Sequence, residues 1–420
     1  MNDIRNWKHP HRVGKWLPAD QRVLEDWLAA LIDHVTTRPA PLHPVIEDFK
    51  ALIEHDAQVY MLFHQMFEQV PLKPPYNKDP TGQPQVRDYH VMLQLFNAIM
   101  TRAPEFNETG LVGFPINAIL DWPMGTGGGF TAFLNAKVNK QFRAMLDEWA
   151  HFLVSQDSTY VLSDDPIKGW FGHDAMKAMP DFDKTFICDP GAPHHGFISW
   201  DDFFTRQFRP GLRPVAAPND NHVVVNACES APYRIAKGIH ATDRFWIKAQ
   251  PYSLRHMLAD DTLAPQFDGG TVYQAFLSAL SYHRWHSPVS GTVVKTRVQP
   301  GTYYSETPAE GFDPSAPNDS QGYITEVAAR AMIFIQADNP DIGLMCFMPV
   351  GMAEVSSCDI RVYEGQHVKK GDQLGMFHFG GSTHCLIFRP GVKLTFNLHG
   401  QTPGLNSSNI PVNAEIATVG

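Results

Sequence analysis

The chain has 420 residues, 43% of them hydrophobic and 11% aromatic, enough to bury one large core or two ordinary ones. Lys and Arg total 34 against 44 Asp and Glu, and the formal net charge of -10 disfavours attraction to nucleic acid or to an anionic membrane surface. The longest apolar stretches, such as Ile342 to Val350, fall short of the roughly 18 to 20 residues that cross a bilayer, and the N-terminus lacks an apolar signal core, so a soluble, cytoplasmic protein without stable membrane insertion is expected.

The first half reads as helical. Val23, Leu24, Trp27, Leu28, Leu31, Ile32 and Val35 recur at spacings of three and four, which lines one helix face. A second stripe, Val138, Phe142, Met145, Leu146, Trp149, Phe152 and Leu153, ends near the polar segment Ser155 to Thr159. Between them, the GTGGG run at Gly125 to Gly129 lacks the Lys-Ser/Thr of a P-loop and the spacing of a dinucleotide fingerprint. It reads as a flexible turn.

From Met179 to Phe197 the chain is rich in Pro, Gly, Asp and His, as exposed connections are, and a domain boundary is expected there. Short β-rich runs separated by turn residues follow: His222 to Val225, Gly291 to Val298, Ala331 to Ile335, Leu344 to Val350 and His384 to Phe388. The expected fold is α+β: a mostly helical N-terminal domain over residues 1–180, then a mixed, largely antiparallel β domain over 195–420. Two pieces, Ser287 to Val294 and Glu364 to Phe377, look similar to the barrel-sandwich hairpins of biotinyl or lipoyl carriers. Cys188, Cys228, Cys346, Cys358 and Cys385 are widely spaced with no C-x-x-C pair, and are read as reduced and mostly buried. None of the 20 histidines enters a zinc pattern, so no metal is expected.

The segment HFGGSTHCLIFRPGV, His378 to Val392, joins a Gly-Gly turn to a Ser-Thr pair and an apolar strand. Alone it is an ordinary hairpin loop. It resembles the LGST self-processing site of phosphatidylserine decarboxylases, and four other stretches resemble that family in the expected order. SWDDFFTRQFRPGLRPV (Ser199 to Val215) is similar to its entry motif, and VNACES (Val225 to Ser230) lies where the family has Ala-Asp-Gly. YHRWHSPVSG (Tyr282 to Gly291) is similar to its histidine motif, and PVGMAEVSS (Pro349 to Ser357) to its Val-Gly-Ala strand.

The resemblance implies that the hydroxyl of Ser382 attacks the carbonyl of Gly381, and that the resulting ester breaks by β-elimination. Dehydroalanine forms and hydrolyses to a pyruvoyl group, splitting the chain into 1–381 and 382–420. Glycine before the serine removes the Cβ that would obstruct a close attack, and a neutral hydroxyl needs a base. By resemblance His286 is that base, oriented by an acid as in a Ser-His-Asp relay. Glu229 aligns with the family's aspartate but is one methylene longer, so either the site is spaced differently or another carboxylate serves. A second departure is Gly380, where the family more often has Leu.

His283 precedes His286 by three residues, which on a strand turns the rings to opposite faces, whereas a turn or bulge lets them converge. The resemblance makes His283 the residue that handles substrate and protonates the product. The pyruvoyl ketone takes the place that pyridoxal phosphate has elsewhere, so neither that cofactor nor a metal is expected.

The helical half, through Lys137 to Leu162 and GWFG at Gly169 to Gly172, resembles the extra domain of fungal and bacterial relatives that decarboxylate free aromatic amino acids, tryptophan above all. That implies conversion of L-tryptophan to tryptamine and carbon dioxide, with Trp285 and Phe379 as candidate lining of an aromatic pocket. Two alternatives compete: a phosphatidylserine decarboxylase making phosphatidylethanolamine, and a non-catalytic biotinyl or lipoyl-like carrier or scaffold. The sequence does not fix an oligomeric state.

Overall fold

The computed structural model describes residues 22–70, 86, 88–106, 115–243, 252–278, 280–307, 320–354, 357–379, 382–404 and 406–420, and the backbone alone of residues 22–25. Two compact units divide it. One comprises the described residues of Met1–Pro180, Pro190–Phe203 and Thr302–Ser320; the other those of Asp181–Asp189, Phe204–Gly301 and Gln321–Gly420.

The first unit contains helices α1 (Arg22–Thr37), α2 (Pro44–His55), α3 (Ala57–Glu68), α4 (Tyr89–Ile99), α5 (Pro115–Met124), α6 (Gly127–Leu134) and α7 (Ala136–Leu153). Sequence punctuation explains their ends. Asp56 closes α2 and its side chain accepts from the Gln58 and Val59 amides to cap α3, while Asn135 caps α7 through the Lys137 and Val138 amides. Both anticipated stripes are helical: Leu28, Leu31 and Val35 of α1 are buried, and so are Val138, Phe142, Met145, Leu146, Trp149 and Leu153 of α7; the Val23 and Leu24 side chains lie outside the described residues. Phe49 of α2 and Phe142 meet edge to face at 5.0 Å in this core.

The GTGGG run is not a flexible turn but the start of α6. Thr126 Oγ1 accepts from the Gly129 amide at 3.0 Å, and a Cβ on Gly129 would lie 1.9 Å from the Pro123 carbonyl oxygen. Glycine is there for close approach to the preceding helix.

The second unit holds thirteen strands among the described residues: β1 (Val223–Val225), β2 (Ala231–Ile239), β3 (Gly270–Leu277), β4 (Arg284–His286), β5 (Gly291–Gln299), β6 (Arg330–Ala337), β7 (Leu344–Gly351), β8 (Ser357–Ile360), β9 (His367–Val368), β10 (Gln373–His378), β11 (Ser382–Phe388), β12 (Leu394–Phe396) and β13 (Glu415–Val419). A seven-stranded sheet runs β2-β3-β11-β7-β6-β5-β9, flanked by three-stranded sheets β4-β10-β8 and β1-β13-β12. Pairing is antiparallel throughout these ladders. The expected α+β class holds.

Strand β11 occupies an interior position, with all seven residues paired to β3 on one side and β7 on the other. Its run of Thr, Cys, Leu, Ile and Phe suits a strand covered on both faces. Leu386 and Phe388 join Tyr273, Ala275, Leu277, Met345, Phe347, Trp285 and Phe377 in one apolar core. By the two-residue period of a strand, Ser382 and His384 project to that same face. The five cysteines are all unpaired, with Cys228, Cys346 and Cys385 buried, as expected. No described helix is long and apolar enough to cross a membrane.

Candidate active site

Ser382 opens β11, its backbone registered opposite Leu277 and Gly351. The side chain is completely buried, and its Oγ has no hydrogen-bond partner among the described residues. The next residue is anchored differently: Thr383 Oγ1 donates to the Ala275 carbonyl at 3.0 Å and accepts from Gln274 Nε2 at 3.0 Å. The strand is thus fixed immediately after the serine, while the serine hydroxyl itself bonds to none of the described residues. Gly380 and Gly381 lie outside the described residues. Phe379, just before them, takes a φ of 21°, a conformation that side-chain-bearing residues rarely adopt.

His283 immediately precedes β4 and is wholly buried. Its carbonyl accepts from the Phe377 amide at 3.0 Å, near the end of β10 that leads to Ser382. Its ring stacks on Phe204 at 4.2 Å, and Phe379 packs edge-on against the same Phe204 ring at 5.6 Å. The structure therefore gathers His283 and Phe379 around one aromatic surface. Trp285 points elsewhere, into the core against Phe377 at 4.8 Å and Phe347 at 5.9 Å.

His286 lies three residues beyond His283 and keeps separate company. Nδ1 is 2.7 Å from the Gly371 carbonyl oxygen, which only accepts, so Nδ1 carries the proton; Nε2 then accepts from the Tyr282 hydroxyl at 2.9 Å. Burial is the leading cause that lowers this imidazole below the ordinary histidine range. Glu229 is held by Arg213 through both guanidinium arms, at 2.7 and 3.0 Å, and accepts from the Val412 amide at 2.9 Å. Among the described residues no hydrogen bond joins Glu229 to His286, or either to Ser382. Instead, the Arg213 guanidinium sits 4.2 Å above the Phe208 ring, which packs on Tyr282 at 4.3 Å. The carboxylate and imidazole are thereby connected through a contiguous packed series rather than directly.

Sequence reasoning passed over one histidine. His384 is two residues beyond Ser382, wholly buried, with Nε2 3.0 Å from the Ser230 hydroxyl. Burial alone pushes it down to about 3, leaving the ring neutral. In the sequence it is one polar letter in an apolar strand, and the partner that gives it meaning lies 154 positions away. The carrier-like hairpin, for its part, offers no free lysine at position 370: Lys370 Nζ donates to the carbonyls of Asp220 and Val223 at 2.8 and 3.0 Å.

The structure thus sets a buried serine, whose Oγ has no hydrogen-bond partner among the described residues, at the head of an interior strand. Sequence profiles give the family: one described as phosphatidylserine decarboxylase matches residues 200–403, and a second of the same description matches 43–179. The chain belongs to this family of pyruvoyl-dependent carboxy-lyases and is itself a decarboxylase. It stands near the tryptophan decarboxylase branch. The L-tryptophan decarboxylase of Psilocybe cubensis is 38% identical over 399 residues, covering 89% of this chain and 88% of that one. The decarboxylase iboD of Amanita muscaria is 44% identical over 302 residues, covering 68% and 86%. Phosphatidylserine decarboxylase proenzyme 3 of Schizosaccharomyces pombe is 31% identical over 202 residues, covering 48% of this chain and 20% of its own.

Proposed function

We propose that this chain decarboxylates a free aromatic amino acid, L-tryptophan foremost, to tryptamine and carbon dioxide, and that Ser382 becomes its pyruvoyl group by scission of the Gly381–Ser382 bond. The observation that carries the substrate assignment is near full-length similarity to proteins named L-tryptophan decarboxylases, against similarity over about half of this chain for those named phosphatidylserine decarboxylases.

Residue 382 suits the prosthetic group. Its Oγ makes no hydrogen bond among the described residues, so replacing CH₂OH by the methyl of a ketone forfeits none. The paired backbone on both sides holds the new chain terminus in place after scission. The ketone supplies the electron sink for loss of the carboxylate.

His283 is the proton donor to the substrate's α-carbon in this reading. Stacking on Phe204 orients its ring while the Phe377 amide holds its backbone carbonyl, and Phe379 helps to exclude water from the same surface. The resemblance-based assignment of His286 as base requires Tyr282 to release Nε2, and that of Glu229 as its orienting acid requires Arg213 to release the carboxylate.

Two assays test the proposal. Ser382→Ala should accumulate as a folded, full-length chain without activity, whereas continued scission in that variant would move the reactive centre elsewhere. Purified wild-type protein given tryptophan or phosphatidylserine vesicles should release carbon dioxide from tryptophan; release from the lipid alone would select the other substrate.

A further inference from the structure

We propose that Gln274 is a positioning residue for the reactive group at position 382, acting through Thr383, an assignment that rests on the maturation reading above. Conversion of Ser382 removes its nitrogen as ammonia, and with it the amide that would anchor residue 382 in the ladder. Thr383 is then the first residue of β11 with a complete backbone, and chain ends stay ordered only where something ties them down.

Gln274 lies in β3 opposite Cys385, while its neighbour but one, Phe276, lies opposite Thr383. Gln274 is therefore the diagonal neighbour of Thr383 on one face of the sheet, a separation of roughly 7–8 Å that a long side chain spans. By the two-residue period this is the face opposite to that of Ser382 and His384. The support comes from behind residue 382 and does not occupy the face its side chain takes.

Every proton in this support has a fixed direction. The Gln321 carbonyl, 2.9 Å from Gln274 Nε2, only accepts, so the amide nitrogen must face it. The same nitrogen donates to Thr383 Oγ1 at 3.0 Å and lies 3.4 Å from Gln321 Oε1. Gln274 Oε1, turned the other way, accepts from the Tyr252 hydroxyl at 2.5 Å. Thr383 directs its own proton to the Ala275 carbonyl at 3.0 Å. Tyr252, Gln274, Gln321 and Thr383 are all buried, and burial pushes the Tyr252 hydroxyl well above its ordinary range, so it stays a donor. Turning the amide over would set its oxygen against the Gln321 carbonyl and leave Thr383 without its donor, a costly state in a buried site. The far ends are anchored too: the Ser253 amide donates to Glu326 Oε1 at 2.8 Å, and Gln321 opens the helix Gln321–Val327. An apolar side chain at 274 would serve burial as well as glutamine does; the bonds to three separate segments are what set Thr383. The carbonyl carbon of residue 382 is bonded directly to the Thr383 nitrogen, and a misplacement of about 1 Å at a reacting centre can cost about 100-fold in rate.

Matured wild type is compared with full-length Gln274→Met, Thr383→Val and the double variant, each shown by thermal melting to be folded at the assay temperature. Two quantities are read: the rate at which hydrazine adds to the carbonyl of residue 382, followed by intact mass, and kcat and KM for tryptophan per titrated carbonyl. Gln274→Met should react with hydrazine about 10-fold faster, because a loosened strand head opens more often. Its kcat should fall about 10-fold with KM within about two-fold of wild type. A role in stability alone would lower the melting temperature and leave both rates per carbonyl unchanged. Thr383→Val should match Gln274→Met, and the double variant should lose about 10-fold in kcat rather than the about 100-fold of independent residues. A wild-type hydrazine rate or a wild-type kcat in Gln274→Met would overturn the assignment, as would full additivity. Should Gln274→Met fail to fold or to mature, Tyr252→Phe, which removes one hydroxyl at the far end of the network, decides by the same readouts: faster hydrazone formation with reduced kcat supports the assignment, and a wild-type value of either overturns it. A wild-type chain that never cleaves refutes the maturation reading itself, a result distinct from all of these.

Discussion

Burial gives His286 and His384 a shared dependence on pH. Both are lowered by desolvation, His384 to about 3, whereas an unfolded histidine titrates near 6.5. Below that value the unfolded chain binds protons that the folded chain refuses, so stability falls as pH falls. For His384 the window runs from about 6.5 down to about 3, and acidification from pH 7 to 5 should cost about 2 kcal/mol from this residue. Urea denaturation of an uncleaved Ser382→Ala background at the two pH values measures it; adding His384→Gln should remove most of that difference, and an unchanged difference would show that burial of His384 does not hold its proton off. Ser382 and His283 stand out in the sequence as candidates because the motifs that carry them are local. His384 does not, because its burial and its contact with Ser230 exist only after β11 enters the sheet.

At the scale of elements, the candidate site depends on β10 fitting closely between β4 and β8 in its three-stranded sheet. Gly375 makes that possible: a Cβ there would lie 2.2 Å from the Asp359 carbonyl oxygen and 2.8 Å from the Trp285 ring. Gly375→Ala should therefore destabilise the fold by about 1–3 kcal/mol through forced strand displacement, read as a lower urea midpoint at unchanged slope; an unchanged midpoint would show the contact to be slack. Most strands were legible, since runs such as Leu344 to Val350 are apolar and bounded by turns. Strand β2 was not. Its Pro232, Arg234 and Lys237 interrupt any apolar run, yet β2 lies at the sheet edge with register shifts at two points, where proline and charge are tolerated. The glycines that open α6 misled for a related reason: Gly128 and Gly129 serve close packing against α3 and Pro123, which a local reading cannot distinguish from flexibility.

For the whole molecule, the α+β class followed from the change in periodicity along the chain, from three-and-four spacing to short alternating runs. The division into units is less simple than a sequence boundary, because the described residues of 190–203 and 302–320 group with the helical unit. Contacts distant in sequence decide that grouping, and composition near Met179 to Phe197 does not encode them. Family membership makes the molecule a decarboxylase; the proposed scission would make it a two-chain enzyme whose reactive group is its own backbone.

Intact-mass spectrometry of the wild-type protein, with and without hydrazine, tests that claim most directly. The account predicts two chains, 1–381 and 382–420, the shorter one lighter by one ammonia than a serine-terminated chain and shifted by hydrazone formation. A single 420-residue chain that releases carbon dioxide from tryptophan and ignores hydrazine would contradict it.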